Sequence, residues 1–396
     1  MYIPDLSAAD QCVMCGMCQP HCPTYQVQHI ESESPRGRLS MILGIAQKQL
    51  DADDSVLQHL YNCTGCGACE AMCPSRVPYI QLLDDSKFLF RTKTRQGLAT
   101  TILLWLVRHP ARYDLLKKLL QSSRLGNILR RFGLLDKHTS EVQTQVNSKA
   151  ILPQLQPIYH ASGEIKGNIA LFTGCITRLF DQQSLEDSIS LLTYCGYNVH
   201  LPAGQVCCGA MHQHNGQPDI AAELIERNRQ LLDSKRFDAI IGSATGCTSQ
   251  LKAMNSEQPV FDITQFIAEH RLIEQLTLKP LEQHVSIHRP CSQQFNETTL
   301  VQLLQAIPGA TIAPLSSNST CCGAGGTQLI KPTTSSLALR QIKTDDILTQ
   351  RPDILVTTNY GCALQLASGL TEDLSQNKQI EICHPVSLLV KSASLK

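Results

Sequence analysis

Hydrophobic and polar positions change period twice along this chain of 396 residues. In residues 1–86, Leu39, Ile42, Leu43 and Ala46 follow Pro35-Arg36-Gly37-Arg38 at helical spacing, and Asp53 to Leu60 repeats the pattern, so this unit is expected to be mostly α-helical. Residues 87–163 read differently. Up to about residue 140, Leu98, Ile102, Leu103, Trp105, Leu106, Leu115, Leu116, Leu119, Leu120, Ile128 and Leu129 interleave with twelve Lys and Arg, against only Asp114 and Asp136. That is a basic amphipathic stretch, able to lie on an anionic membrane surface or a partner, or to pack its apolar face on a neighbouring domain. Residues 138–163 read as a linker. From 164 onward, short apolar runs alternate with helical patterns such as Asp219 to Leu232 and Ser336 to Leu348, predicting a parallel sheet with helices outside.

This last part is duplicated. Asn168 to Cys175 matches Val285 to Cys291, Cys207-Cys208-Gly209 matches Cys321-Cys322-Gly323, and Ala239 to Cys247 matches Ile354 to Cys362, at offsets of 116, 114 and 115 residues. The expected architecture is α+β and multidomain: an α-helical domain (1–86) that carries two C-x2-C-x2-C-x3-C-P runs, Cys12 to Pro23 and Cys63 to Pro74, and so reads as a two-cluster ferredoxin-like unit, a basic helical segment and linker (87–163), and two α/β Cys-Cys-Gly repeats (164–278 and 279–396).

Eighteen cysteines carry the candidate chemistry. Cys12-Val-Met-Cys15-Gly-Met-Cys18-Gln-Pro-His-Cys22-Pro23 returns as Cys63-Thr-Gly-Cys66-Gly-Ala-Cys69-Glu-Ala-Met-Cys73-Pro74. A C-x2-C-x2-C loop wraps three corners of a cubane, and in two-cluster ferredoxins the last Cys of each run ligates the other cluster. The expected sets are Cys12, Cys15, Cys18 and Cys73 for one [4Fe–4S] cluster, and Cys63, Cys66, Cys69 and Cys22 for the second. Zinc sites, which favour paired C-x2-C knuckles, fit these runs less well.

In the repeats, Cys175, Cys207, Cys208 and Cys247, and again Cys291, Cys321, Cys322 and Cys362, fall at or just after strand ends, where open α/β sheets place ligands. Four soft thiolates per repeat suit iron–sulfur or zinc, and buried structural cysteines are the alternative. Gly209 and Gly323 would let the Cys-Cys pair turn. Gly323 to Gly326 lacks phosphate-loop spacing. Cys195 and Cys383 lack counterparts and read as core; His288 and His384 are proton or quinone contacts, or ordinary core or surface histidines.

Basic and acidic residues balance at 34 each, which gives no sign of a nucleic-acid partner. The opening residues show no leader pattern, and abundant thiols fit a reducing, cytoplasmic setting with metal ligation rather than disulfides. Leu98 to Val107 is about half a membrane span, so a soluble or peripheral protein is expected. No dinucleotide or flavin fingerprint is visible, so hydride chemistry is expected in another polypeptide.

Two ferredoxin runs followed by two Cys-Cys-Gly repeats resemble the iron–sulfur subunits of membrane-associated 2-hydroxyacid and glycerol-3-phosphate dehydrogenases. The similarity to glycolate oxidase iron–sulfur subunits rests on Cys18 to Tyr25, Pro35 to Arg38, Cys321 to Thr327 and Asn359 to Cys362, and extends over nearly the whole length. It implies an electron-transfer subunit that takes electrons from an FAD-containing partner and delivers them towards membrane quinone, peripheral on the inner face of the cytoplasmic membrane. Lactate and anaerobic glycerol-3-phosphate dehydrogenase subunits share the pattern. The repeats also resemble those of heterodisulfide reductase, which implies a catalytic alternative at an unusual cluster. There the motif ends in Cys-x-x-Cys. Here Cys247 is followed by Thr-Ser-Gln and Cys362 by Ala-Leu-Gln, so a four-thiolate site, or no metal, is the expectation. A zinc-bearing docking scaffold is the third reading.

Overall fold

A computed structural model describes residues 2–91, 97–113, 155–371 and 380–395. The N-terminal unit is helical, as its periodicity predicts. Ser34 accepts a hydrogen bond from the Gly37 N–H (3.0 Å), Pro35 occupies the first turn, and the helix runs Pro35–Ala46. Asp53 caps the next helix, Asp54–Tyr61, through the Val56 N–H at 2.9 Å. Leu39, Ile42, Leu57 and Leu60 meet Leu82 and Leu83 of a third helix, Tyr79–Phe90, in a closed core. Each buried Leu or Ile contributes roughly 1.5–3 kcal/mol relative to exposure. The third helix runs unbroken through residue 86, so the boundary expected there lies inside it.

A helix over Leu98–Val107 follows. Its Leu106 and Val107, with Tyr113, pack on Phe172, Leu179 and Cys207 of the first repeat. Leu98, Ile102 and Trp105 remain exposed along one stripe, with the Arg112 guanidinium 3.8 Å over the Trp105 ring. The described part of the basic stretch thus docks on its neighbouring domain while keeping an apolar edge. The rest, from Asp114 to the linker, lies outside the described residues. No helix among the described residues is long and apolar enough to cross a membrane.

In the first repeat the sheet order is β1 (Ile158–Tyr159), β3 (Tyr197–His200), β2 (Gly167–Phe172), β4 (Ala239–Gly242), β5 (Val260–Asp262), parallel except for β1. The second repeats it as β7 (Thr311–Pro314), β6 (His284–His288), β8 (Ile354–Thr357), β9 (Glu381–Cys383), all parallel. Central β4 and β8 are buried at every position, as strands covered by helices on both faces must be. Strand order reverses between β2 and β4, and between β6 and β8, which opens a crevice at their carboxyl ends. The two repeats share one core. Leu185, Ile189 and Leu192 of helix Gln182–Tyr194 join Val386, Leu389 and Val390 of helix Pro385–Ala393 in it. Cys195 lies in that core and Cys383 packs against it. His384 caps the last helix, its Nδ1 accepting the Val386 N–H at 3.1 Å.

Asp262 caps the matching helix of the first repeat by accepting the Thr264 N–H at 2.8 Å, but its other carboxylate oxygen is buried without a hydrogen-bond partner among the described residues. Burial pushes its pKa up to about 7. The unfolded chain releases that proton near pH 4, so the group's contribution is full below about pH 4 and is lost as pH rises through about 7. Asp262→Asn keeps a capping oxygen without the titration. Its urea midpoint is expected to stay level between about pH 5 and about pH 8, while the parent's falls relative to it; parallel curves would refute this.

Candidate metal centres

The second Cys run forms a closed site. Cys22, Cys63, Cys66 and Cys69 line one cavity with Thr24, Arg38 and Tyr79. Burial raises the Cys69 thiol, and Cys63, Cys66 and Cys22 each raise it further. Cys22 therefore sits with the three cysteines of the other run, as the crossed assignment expects. The Tyr79 hydroxyl reaches Cys63 Sγ at 3.7 Å, and the Gly65 N–H reaches it at 3.5 Å. The remaining set is more open: Cys15 is exposed, and Cys12, Cys18 and Cys73 are half-buried. Burial raises Cys18, with Cys12 and Cys22 adding to the effect. Cys73 accepts the Val77 N–H at 3.5 Å.

Arg36 and Arg38 resolve into different roles because residues two apart project roughly 200° apart around a helix. Arg36 faces solvent, paired with Glu31 at 2.6 Å and donating to the Met14 carbonyl at 3.2 Å. Arg38 is wholly buried beneath the second set. It pairs with Glu33 and donates to the Glu33 carbonyl (2.7 Å), Thr24 Oγ1 (3.0 Å) and the His59 carbonyl (2.7 Å). Burial opposes its charge, but Tyr79, Cys63, Glu33 and Cys22 outweigh burial and hold it protonated.

The repeat cysteines converge in two matching groups. Cys175 Sγ lies 3.3 Å from Cys207, and Cys208 lies 3.5 Å from Cys247. Cys291 is hydrogen-bonded to Cys321, and Cys322 lies 3.0 Å from Cys362. The adjacent thiols also bond each other, Cys207 to Cys208 and Cys321 to Cys322, so each group forms one chain of four. The turn depends on Gly209 and Gly323, at φ +90° and +85°. Hydrogen bonds from Cys207 and Cys247 pull Cys208 well below the usual thiol range, and hydrogen bonds from Cys291 and Cys322 do the same for Cys321. Such sharing of protons among four thiols is what a thiophilic metal displaces on binding. The donor sets therefore fit the groups expected of them.

Sequence reasoning missed how closely the ferredoxin-like unit is seated on the repeats. The Thr64 hydroxyl bonds both Cys66 and Cys321. Burial and then Cys321 push the Cys66 thiol up to about 12, so the two thiols feel each other directly. A Cβ on Gly325 would stand 2.1 Å from the Thr64 carbonyl oxygen, so close approach accounts for a glycine in the Gly323–Gly326 run. Gln328 Nε2 donates to the carbonyls of Tyr61, Asn62 and Cys63 at 3.1–3.3 Å. On the other side His214, from the first repeat, stands 3.5 Å from the buried Asp84 carboxylate. A cavity of about 740 Å³ opens here, lined by Tyr61, Thr64, Lys87, His214, Gln328 and Lys331 among others.

Comparison with known proteins agrees with this division. Residues 8–77 match a 4Fe-4S dicluster domain, and residues 169–252 and 285–367 each match a cysteine-rich domain. The probable glycolate oxidase iron-sulfur subunit of Bacillus subtilis is 26% identical, over 97% of this chain and 94% of its own length. This chain thus carries one 4Fe-4S dicluster domain and two cysteine-rich domains, and over nearly its whole length it is similar to glycolate oxidase iron–sulfur subunits. The glycolate oxidase iron-sulfur subunit of Escherichia coli is 27% identical over 90% of this chain and 89% of its length. One polypeptide of the dihydromethanophenazine:CoB–CoM heterodisulfide reductase of Methanosarcina barkeri is 24% identical over 92% of this chain and 90% of its length. As an iron–sulfur subunit of oxidoreductase type, the chain has [4Fe–4S] clusters as its cofactors.

Proposed function

We propose that this chain is the electron-transfer subunit of a glycolate-type 2-hydroxyacid dehydrogenase complex, taking electrons from an FAD-containing partner and passing them towards membrane quinone. In this reading Cys12, Cys15, Cys18 and Cys73 hold one [4Fe–4S] cluster, and Cys22, Cys63, Cys66 and Cys69 the other. The repeat thiolates hold further metal. Bound clusters supply reversible one-electron storage. The chain's own residues supply insulation and position: Arg38 and Glu33 close the second site from water, Tyr79 orients Cys63, and Thr64 joins Cys66 to Cys321.

The observation that carries this reading is that junction, because an electron relay needs its centres in close contact and a scaffold does not. The exposed stripe of Leu98, Ile102 and Trp105 beside Arg108 and Arg112 supports peripheral attachment to a cytoplasmic membrane face. The test is anaerobic purification of the full chain. The two cubanes predict about eight iron per chain and a dithionite-reduced EPR signal. The chain alone is expected not to reduce a dye with glycolate, and to restore quinone reduction when mixed with its flavoprotein. Glycolate oxidation by the chain alone, or zinc in place of iron, would overturn the proposal.

A further inference from the structure

The two repeats share their central strand order but differ in chemical character where the central strands end at the crevice. In β6 the residue that ends the strand is His288, and it pairs across the sheet with Thr357, which ends β8. In the first repeat the same register positions hold Phe172 and Gly242. The histidine and its cross-strand neighbour therefore form a polar pair in the second repeat only.

His288 is 1% exposed and Thr357 is 3% exposed. Nδ1 of the ring lies 2.9 Å from the Thr357 hydroxyl. Nε2 is buried and has no hydrogen-bond partner among the described residues. The tautomer protonated on Nε2 would bury an N–H with no acceptor, at a cost of about 1–3 kcal/mol. The tautomer protonated on Nδ1 gives its proton to Thr357 and leaves a lone pair on Nε2. That is the arrangement of a metal-ligating imidazole, whose second nitrogen is fixed by an outer partner. The lone pair has somewhere to go: the donor atoms of His288, Cys322 and Cys362 all lie within 4.8 Å of one another, and all three residues are buried. Lys343, buried with its ammonium on the Ser317 carbonyl, adds a positive charge felt by Cys322, Cys321 and Cys362.

We infer that His288 is a nitrogen ligand, with Cys322 and Cys362, to a thiolate-bound transition metal centre found in the second repeat only, so that the two Cys-Cys-Gly sites are chemically unequal. Thr357 is its positioning residue. The inference rests on the reading that the repeat thiolates hold metal. Imidazole and thiolate together suit zinc or iron, and both meet this donor set. Zinc would make the site structural; iron would give it a redox role distinct from an all-cysteine neighbour, since replacing thiolate by imidazole raises potential.

The test uses the anaerobically purified full chain, with and without ¹⁵N-labelled histidine, as parent, His288→Phe, His288→Cys, Thr357→Val and Cys322→Ser. Metal content and X-ray absorption at the iron and zinc edges are read for each, with pulsed EPR wherever the centre is paramagnetic. The expected result is a histidine-nitrogen signature in the parent, at the edge of whichever metal is bound. It disappears in His288→Phe, which adopts the residue of the first repeat. His288→Cys, which puts a thiolate in place of the imidazole, keeps the metal and loses the nitrogen signature. Thr357→Val keeps the signature but binds metal about 10- to 100-fold more weakly. If Cys322→Ser loses metal while His288→Phe keeps both metal and spectrum, the assignment of His288 fails and the thiolate reading stands. If neither variant changes the metal, both fail.

Discussion

Cys22→Ala is expected to remove about four iron per chain, a whole cubane, and the cluster it removes is the one built on the other Cys run. By position Cys22 closes the first run, yet it is 6% exposed and shares a cavity with Cys63, Cys66 and Cys69. The Tyr79 hydroxyl identifies which cluster remains, because it touches Cys63 Sγ and so belongs to the second site alone. Hydrogen bonds to ligating sulfur tune cluster potentials, so Tyr79→Phe should shift one of the two potentials in the parent. In the Cys22→Ala background the same change should shift nothing. Cys73→Ala gives the mirror result: about four iron lost, with the response to Tyr79→Phe retained. A remaining cluster that still responds to Tyr79→Phe after loss of Cys22 would mean that each run holds its own four ligands.

The crossed assignment is expected from the cysteine spacing that cluster chemistry demands, and the structure brings Cys22 into one cavity with Cys63, Cys66 and Cys69. The duplicated sheet was legible because short apolar runs and the cysteines that follow them repeat at offsets of 114 to 116 residues, and continuous apolar runs alternating with helical patterns mark strands covered on both faces. Helices over 35–46 and 54–61 followed from caps and apolar spacing. What escaped depends on residues far apart in the chain. The Thr64–Cys321 junction joins segments that no local pattern connects. The burial of Arg38 but not Arg36 follows from which helix face meets the core, and the sequence around them carries both arginines on equal terms. His288 was visible as a strand-end histidine, but core, surface and ligand histidines look alike until the environment of Nε2 is known. The Gly323–Gly326 run is accounted for at Gly325 by close approach of the Thr64 backbone.

Arg38→Met should destabilise the N-terminal unit by about 3–5 kcal/mol, the usual cost of leaving one member of a buried ion pair without its partner. The side chain of Glu33 is 3% exposed and keeps only His59 Nδ1 (2.7 Å) and Asn62 Nδ2 (2.8 Å) once Arg38 is gone. The loss extends beyond Glu33, since the Glu33 carbonyl, the His59 carbonyl and Thr24 each give up a bond to the guanidinium. Arg38→Lys is no remedy, because one ammonium cannot reach four acceptors arranged around a planar fork. Pairing Arg38→Met with Glu33→Gln removes the uncompensated charge and is expected to recover a substantial part of the loss in an anaerobic denaturant titration. The double variant also separates structure from tuning. With folding restored, the buried cation beside Cys22 and Cys63 is still missing, so the second cluster should be harder to reduce and its potential more negative than in the parent. A single variant with the parent's denaturation midpoint would show that Arg38 and Glu33 are not coupled as a buried pair. A double variant with the parent's potential would show that the guanidinium supports the fold without acting on the cluster.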